Sequence, residues 1–87
     1  MIGSLTVTNE QYKLVVKKVD ATNPTKGLAG ARFHVESTNG SFSKDIVTGA
    51  DGTYTFSPLD AGTYAVTETA APNGYEIDHA GPEYVVL

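Results

Sequence analysis

The run Thr63-Tyr64-Ala65-Val66-Thr67-Glu68-Thr69 alternates without interruption. Successive side chains of an extended strand point to opposite faces. Tyr64, Val66 and Glu68 therefore share one face, and Thr63, Ala65, Thr67 and Thr69 share the other. The first face is the apolar one and belongs against a core, so Glu68 is carried inward with it. A period of two, in a segment rich in Thr, Tyr and Val, specifies a strand and not a helix.

The same period recurs on both sides, between clusters of Gly, Pro, Asn and Asp. Toward the N-terminus, Ala61-Gly62 leads into the run, and Asp51-Gly52 turns the chain into a strand over Thr53–Ser57. Phe42–Thr48 is a strand returning from the Asn39-Gly40 turn, a strong hairpin signal. Ala31–Ser37 precedes it, with Ala31, Phe33 and Val35 in phase. Ala21–Gly30 reads as a loop, Tyr12–Val19 as the first long strand, and Leu5–Thr8 as a short one. Toward the C-terminus, Pro72-Asn73-Gly74 is a turn and Glu83–Leu87 a final strand. No helical period spans 11 residues. About seven short strands at this spacing predict an all-β sandwich, with Leu14, Val16, Phe33, Val35, Phe56, Leu59, Tyr64 and Val66 in its core.

Several function classes are excluded early. With 87 residues there is room for one domain, and burial alone makes a domain of that size only marginally stable. Small secreted domains often add a staple, but there is no cysteine for a disulfide. His34 and His79 lack metal-ligand spacing, and no cofactor motif, phosphate loop or nucleophile elbow is present. The net charge of −4 argues against a nucleic-acid partner. No apolar run approaches the roughly 20 residues of a membrane span. Met1-Ile2-Gly3-Ser4 has neither the charged nor the apolar region of a signal peptide. Residues 1–11 are expected to be an added start followed by the tail of a preceding repeat or a linker strand, and residues 12–87 the domain.

Two charges fall in the wrong phase. Lys18 shares a face with Leu14 and Val16, as Glu68 does with Tyr64 and Val66. A buried carboxylate without a partner is expensive, and Lys18 is the natural partner. Both residues also lie at strand ends, where charges reach solvent freely; alternation alone leaves the two readings open.

Lys18-Val19-Asp20, followed by Gly27-Leu28-Ala29-Gly30-Ala31-Arg32-Phe33, resembles the start of a Cna protein B-type (SpaA-like, prealbumin-like) domain of Gram-positive surface adhesins and pilins. Thr48-Gly49-Ala50-Asp51-Gly52-Thr53-Tyr54-Thr55-Phe56 and Leu59-Asp60-Ala61-Gly62-Thr63-Tyr64 continue the likeness. The segment from Tyr64 to Tyr75, Tyr64-Ala65-Val66-Thr67-Glu68-Thr69-Ala70-Ala71-Pro72-Asn73-Gly74-Tyr75, is similar to the family's E-box, its most specific motif.

The resemblance implies an Ig-like or prealbumin-like sandwich acting as an extracellular stalk or spacer, anchored to the cell wall within a longer protein. It further implies a spontaneous Lys–Asn isopeptide crosslink assisted by a buried Glu, with Lys18 as amine nucleophile and Glu68 as proton shuttle. Burial disfavours charge; a neutral amine is nucleophilic, and a protonated carboxyl polarises the amide it attacks. The module is then not a turnover enzyme, since its one reactive constellation is consumed in a single event.

The sequence departs from the family at its end, where one more strand normally carries the acceptor. Leu5-Thr6-Val7-Thr8-Asn9 is similar to that terminal strand and makes Asn9 the candidate acceptor. The acceptor strand normally runs parallel to the first, and a parallel connection needs a dozen or more residues. Only eight separate Asn9 from Lys18, so a bond within the chain is not expected; the Leu5–Asn9 segment either packs on its own sheet edge without bonding or enters a neighbour's, where a bond between chains is allowed. Expected partners are neighbouring domains of the same protein, a complementing strand from another chain, and a host extracellular-matrix ligand. An engineered split domain completed by a strand-peptide, and a ligand-binding adhesin module, are the alternative functions.

Overall fold

A computed structural model describes residues 3–4, 11–77 and 81–87. The described residues form eight strands and no helix: β1 (Tyr12–Lys17), β2 (Val19–Asp20), β3 (Asn23–Gly27), β4 (Arg32–Ser37), β5 (Ser43–Val47), β6 (Thr53–Leu59), β7 (Thr63–Ala70) and β8 (Glu83–Val86). The expected all-β sandwich is what forms. One sheet has the order β5-β4-β7-β8, a second pairs β1 with β6, and β2 and β3 make a small hairpin. Every pairing is antiparallel. The expected strand Leu5–Thr8 lies outside the described residues.

The alternation predicts the core closely. Leu14, Val16, Phe56 and Leu59 from the β1–β6 sheet bury against Phe33, Val35, Ile46 and Tyr64 from the larger sheet. Phe42 stands edge-on to both Phe56 and Tyr64, at centroid separations of 5.7 and 5.9 Å, a favourable aromatic geometry. Val66 was expected in the core but is only half-buried. The reason is coverage. Lys44 of β5 donates to the Tyr54 hydroxyl of β6 at 2.8 Å, so β6 lies over β5. Two strands then face four, and the β7–β8 half, with Val66 and Val85, is left the thinner side.

The turns follow their side chains. Asn39 Oδ1 accepts from the Ser41 N–H at 3.0 Å and the Ser41 hydroxyl at 2.7 Å, holding the β4–β5 hairpin. Asp51 does the same for Thr53, at 3.0 and 2.7 Å. The register shift between Tyr12 and Leu14 falls opposite Pro58, a residue with no N–H to give the ladder.

Ala21–Gly30, expected to be a loop, contains the β2–β3 hairpin. It is made by backbone pairing, Val19 opposite Gly27 and Asp20 opposite Asn23. Most of its side chains are exposed and Pro24 interrupts them, so no alternation marks it. The first long strand is correspondingly broken at Lys18, which joins β1 to β2.

Candidate functional site

Lys18 and Glu68 meet. The Lys18 Nζ donates to Glu68 Oε1 at 3.2 Å, across a sequence separation of 50 residues. The Glu68 side chain is 4% exposed and that of Lys18 is 15% exposed. Each arrives by simple alternation. Glu68 follows Tyr64 and Val66 down the inner face of β7, opposite Phe33 of β4. Lys18, directly after β1, continues the inward phase of Leu14 and Val16. The pair therefore bridges the two sheets through the core.

The second carboxylate oxygen, Glu68 Oε2, is buried and has no hydrogen-bond partner among the described residues. A buried polar atom left this way is costly and marks a place where another group belongs. Lys18 directly follows β1. One edge of β1 pairs with β6, and among the described residues no strand pairs with the other. The arrangement thus holds an amine against a buried carboxylate, next to a strand whose second edge no described strand pairs with. Asn9, the third expected site residue, lies outside the described residues.

A second polar cluster was missed by pattern reading. On the outer face, His34 of β4 has Nδ1 2.7 Å from Asp45 Oδ1 of β5 and Nε2 3.2 Å from Glu36 Oε2. Hydrogen bonds to Asp45 and then Glu36 raise the imidazole above its ordinary 6.5. Only the β4–β5 register, which sets His34 opposite Asp45, brings these groups together. Asp20 is a further case: its carboxyl is lowered to about 2, chiefly by the Thr22 hydroxyl and N–H and then by Tyr75. The Tyr75 hydroxyl donates to Asp20 Oδ2 at 2.9 Å and ties the segment after β7 to β2. Among the described residues, no cluster of three His, Cys, Asp or Glu is arranged to hold a metal.

The described residues thus form an antiparallel sandwich with a buried lysine–glutamate pair between its sheets. A profile of the SpaA prealbumin-like fold domain matches residues 12–86, and the chain belongs to that family. The group B streptococcus pilus 2b backbone protein superposes with a TM-score of 0.76 at 28% identity, over 93% of this chain and 34% of that one. A streptococcal ancillary pilin superposes with a TM-score of 0.72 at 25% identity, over 91% of this chain and 26% of its own. Serine-aspartate repeat-containing protein D of Staphylococcus aureus (strain Newman) is 42% identical over 50 residues. That match covers 58% of this chain and 4% of the staphylococcal protein. The chain is a structural domain of the kind found in pilins and surface proteins of Gram-positive bacteria, and it spans a small part of each relative.

Proposed function

We propose that this chain is a stalk or spacer module of a Gram-positive cell-surface adhesin or pilin, exported and wall-anchored within a longer protein, and that Lys18 and Glu68 are its crosslinking pair. One observation carries the reading: an amine 3.2 Å from a buried carboxylate whose second oxygen has no hydrogen-bond partner among the described residues. A surface ion pair would need no such burial, and an unsatisfied buried oxygen is uncommon in a purely structural pair.

The chemistry needs a carboxamide on a strand laid along the edge of β1 that no described strand pairs with. Proton transfer from the Lys18 ammonium to Glu68 leaves a free amine and a protonated carboxyl. The amine attacks the amide carbon, and the new C–N bond forms. Glu68 hands its proton to the departing nitrogen, takes one from the attacking nitrogen, and ammonia leaves. Fixing the groups in contact makes the step intramolecular in effect, which is worth several orders of magnitude in rate. The product amide would hold β1 to the added strand irreversibly and stiffen the module under load.

Asn9 of a second copy is the acceptor that this sequence itself offers. Tyr12–Lys17 is already spent as an extended strand, spanning about 20 Å at roughly 3.3 Å per residue. That length separates the start of β1 from Lys18 and disfavours Asn9 of the same chain. An exchanged strand would add to that edge as β-augmentation does, and head-to-tail exchange does not close.

Intact mass after incubation at high concentration, under denaturing conditions, tests this. Covalent ladders should appear, each bond one ammonia lighter than its separate chains, and should vanish in Lys18→Ala and in Asn9→Ala. A strictly monomeric mass rules out the exchange, and ladders surviving in Lys18→Ala rule out the nucleophile.

A further inference from the structure

We infer that Gly27 and Gly52 are positioning residues for the Lys18 amine. Together they form a side-chain-free join at which two strands meet end to end on one edge of the β1–β2 strand. The inference rests on the crosslinking role proposed for Lys18.

Below the join, β6 pairs with β1, with Thr53 opposite Lys17. Above it, β3 pairs with β2, with Gly27 opposite Val19. Lys18 is the residue between. Its N–H donates to the Gly52 carbonyl at 2.8 Å, and its carbonyl accepts from the Leu28 N–H at 2.8 Å. One residue is thus gripped by the ends of both partner strands, and its side chain is fixed on the inner face.

The grip leaves no room for a side chain at either glycine. A Cβ on Gly27 would stand 1.9 Å from the Asp51 carbonyl oxygen and 2.6 Å from its carbon. A Cβ on Gly52 would stand 2.5 Å from the Leu28 nitrogen, 2.6 Å from the Gly27 Cα and 2.7 Å from the Lys18 carbonyl oxygen. All of these are backbone atoms, so no rotamer change relieves the collision. Gly52 also has a φ of +81°, a conformation that suits glycine. Carbon contacts are ordinary at about 3.5 Å and beyond, so alanine at Gly27 forces a shift of more than about 1 Å. Misplacement by about 1 Å can cost on the order of 100-fold in rate. The glycines are therefore tied to where the amine sits, beyond the fold's need for a turn.

Two measurements test the join, and neither depends on a crosslink forming. The first is trace acylation with acetic anhydride, read lysine by lysine by peptide mass. Lys18 should react more slowly than the exposed Lys13. Gly52→Ala should abolish that protection, while Gly40→Ala should preserve it. Gly40 also has a positive φ, +78°, but nothing lies within 4 Å of an added Cβ. It therefore reproduces the backbone strain without the collision. Protection retained in a folded Gly52→Ala chain, or lost equally in Gly40→Ala, overturns the inference.

The second uses Glu68→Gln and so avoids any glycine variant that fails to fold. If the join alone holds Lys18, the Lys18 and Leu28 amides should keep wild-type hydrogen-exchange protection after the carboxylate is removed. Loss of protection at those two amides alone would show that the ion pair holds the backbone, and would refute the join. Failure of the ladders with an intact join would count against the crosslink only.

Discussion

Replacing Glu68 by Ala strips the Lys18 amine of the carboxylate 3.2 Å away and opens space in the core beside it. Removing one partner of a buried pair costs about 3–5 kcal/mol. Lys18 keeps 15% exposure, which lets water soften the penalty, so the lower end, about 3 kcal/mol, is expected. For an 87-residue domain the whole stability is about 4–13 kcal/mol, at roughly 0.05–0.15 kcal/mol per residue. The loss is then a large part of it. At about 4–8 °C per kcal/mol for a domain of this size, the melting temperature should fall by about 12–24 °C. Glu76→Ala, at an exposed position, should stay within about 0.5 kcal/mol of wild type. Thermal unfolding followed by circular dichroism reads both, and equal melting temperatures would refute the buried pair. Lys18→Met with Glu68→Leu sharpens the point. Apolar residues of similar volume commonly match or exceed a buried ion pair in stability. A double variant at least as stable as wild type, and unable to form ladders, would mean that the pair is kept for its chemistry.

Three further outcomes follow from the surface clusters. The His34 imidazole is raised above 6.5 by Asp45 and Glu36. Its contribution is therefore fully present below 6.5 and is lost as pH rises through the raised folded value. The stability gap between wild type and His34→Gln should be wider at about pH 5.5 than at about pH 8.5; a gap that does not change with pH contradicts the clamp. Tyr75→Phe removes one donor from Asp20, so that carboxyl should climb from about 2 toward 3.8, as followed by carboxyl-carbon NMR titration. Asn39→Ala deletes the acceptor of two Ser41 hydrogen bonds and should cost about 1 kcal/mol in urea unfolding; no change would mean that Gly40 alone makes the turn.

Much of this was written in local order. A period of two over Thr63–Thr69 fixes which face of β7 is buried, and so sends Glu68 inward before any partner is known. Leu14 and Val16 obey the same rule in β1, and Lys18 keeps their phase just beyond its end. Asn39-Gly40 and Asp51-Gly52 announce their turns because the side-chain oxygen and the positive φ are properties of those residues themselves. What alternation could not supply was distance. That Lys18 Nζ stands 3.2 Å from Glu68 depends on how the two sheets stack, a relation between segments 50 residues apart. The β2–β3 hairpin was invisible because backbone pairing, not an apolar pattern, holds it. The His34 cluster depends on the cross-strand register with β5. The join at Gly27 and Gly52 depends on the meeting of two strand ends. Side-chain periodicity is local chemistry and can be read along the chain; which strand ends abut, and which charges meet across a core, is decided only when the sheets pack.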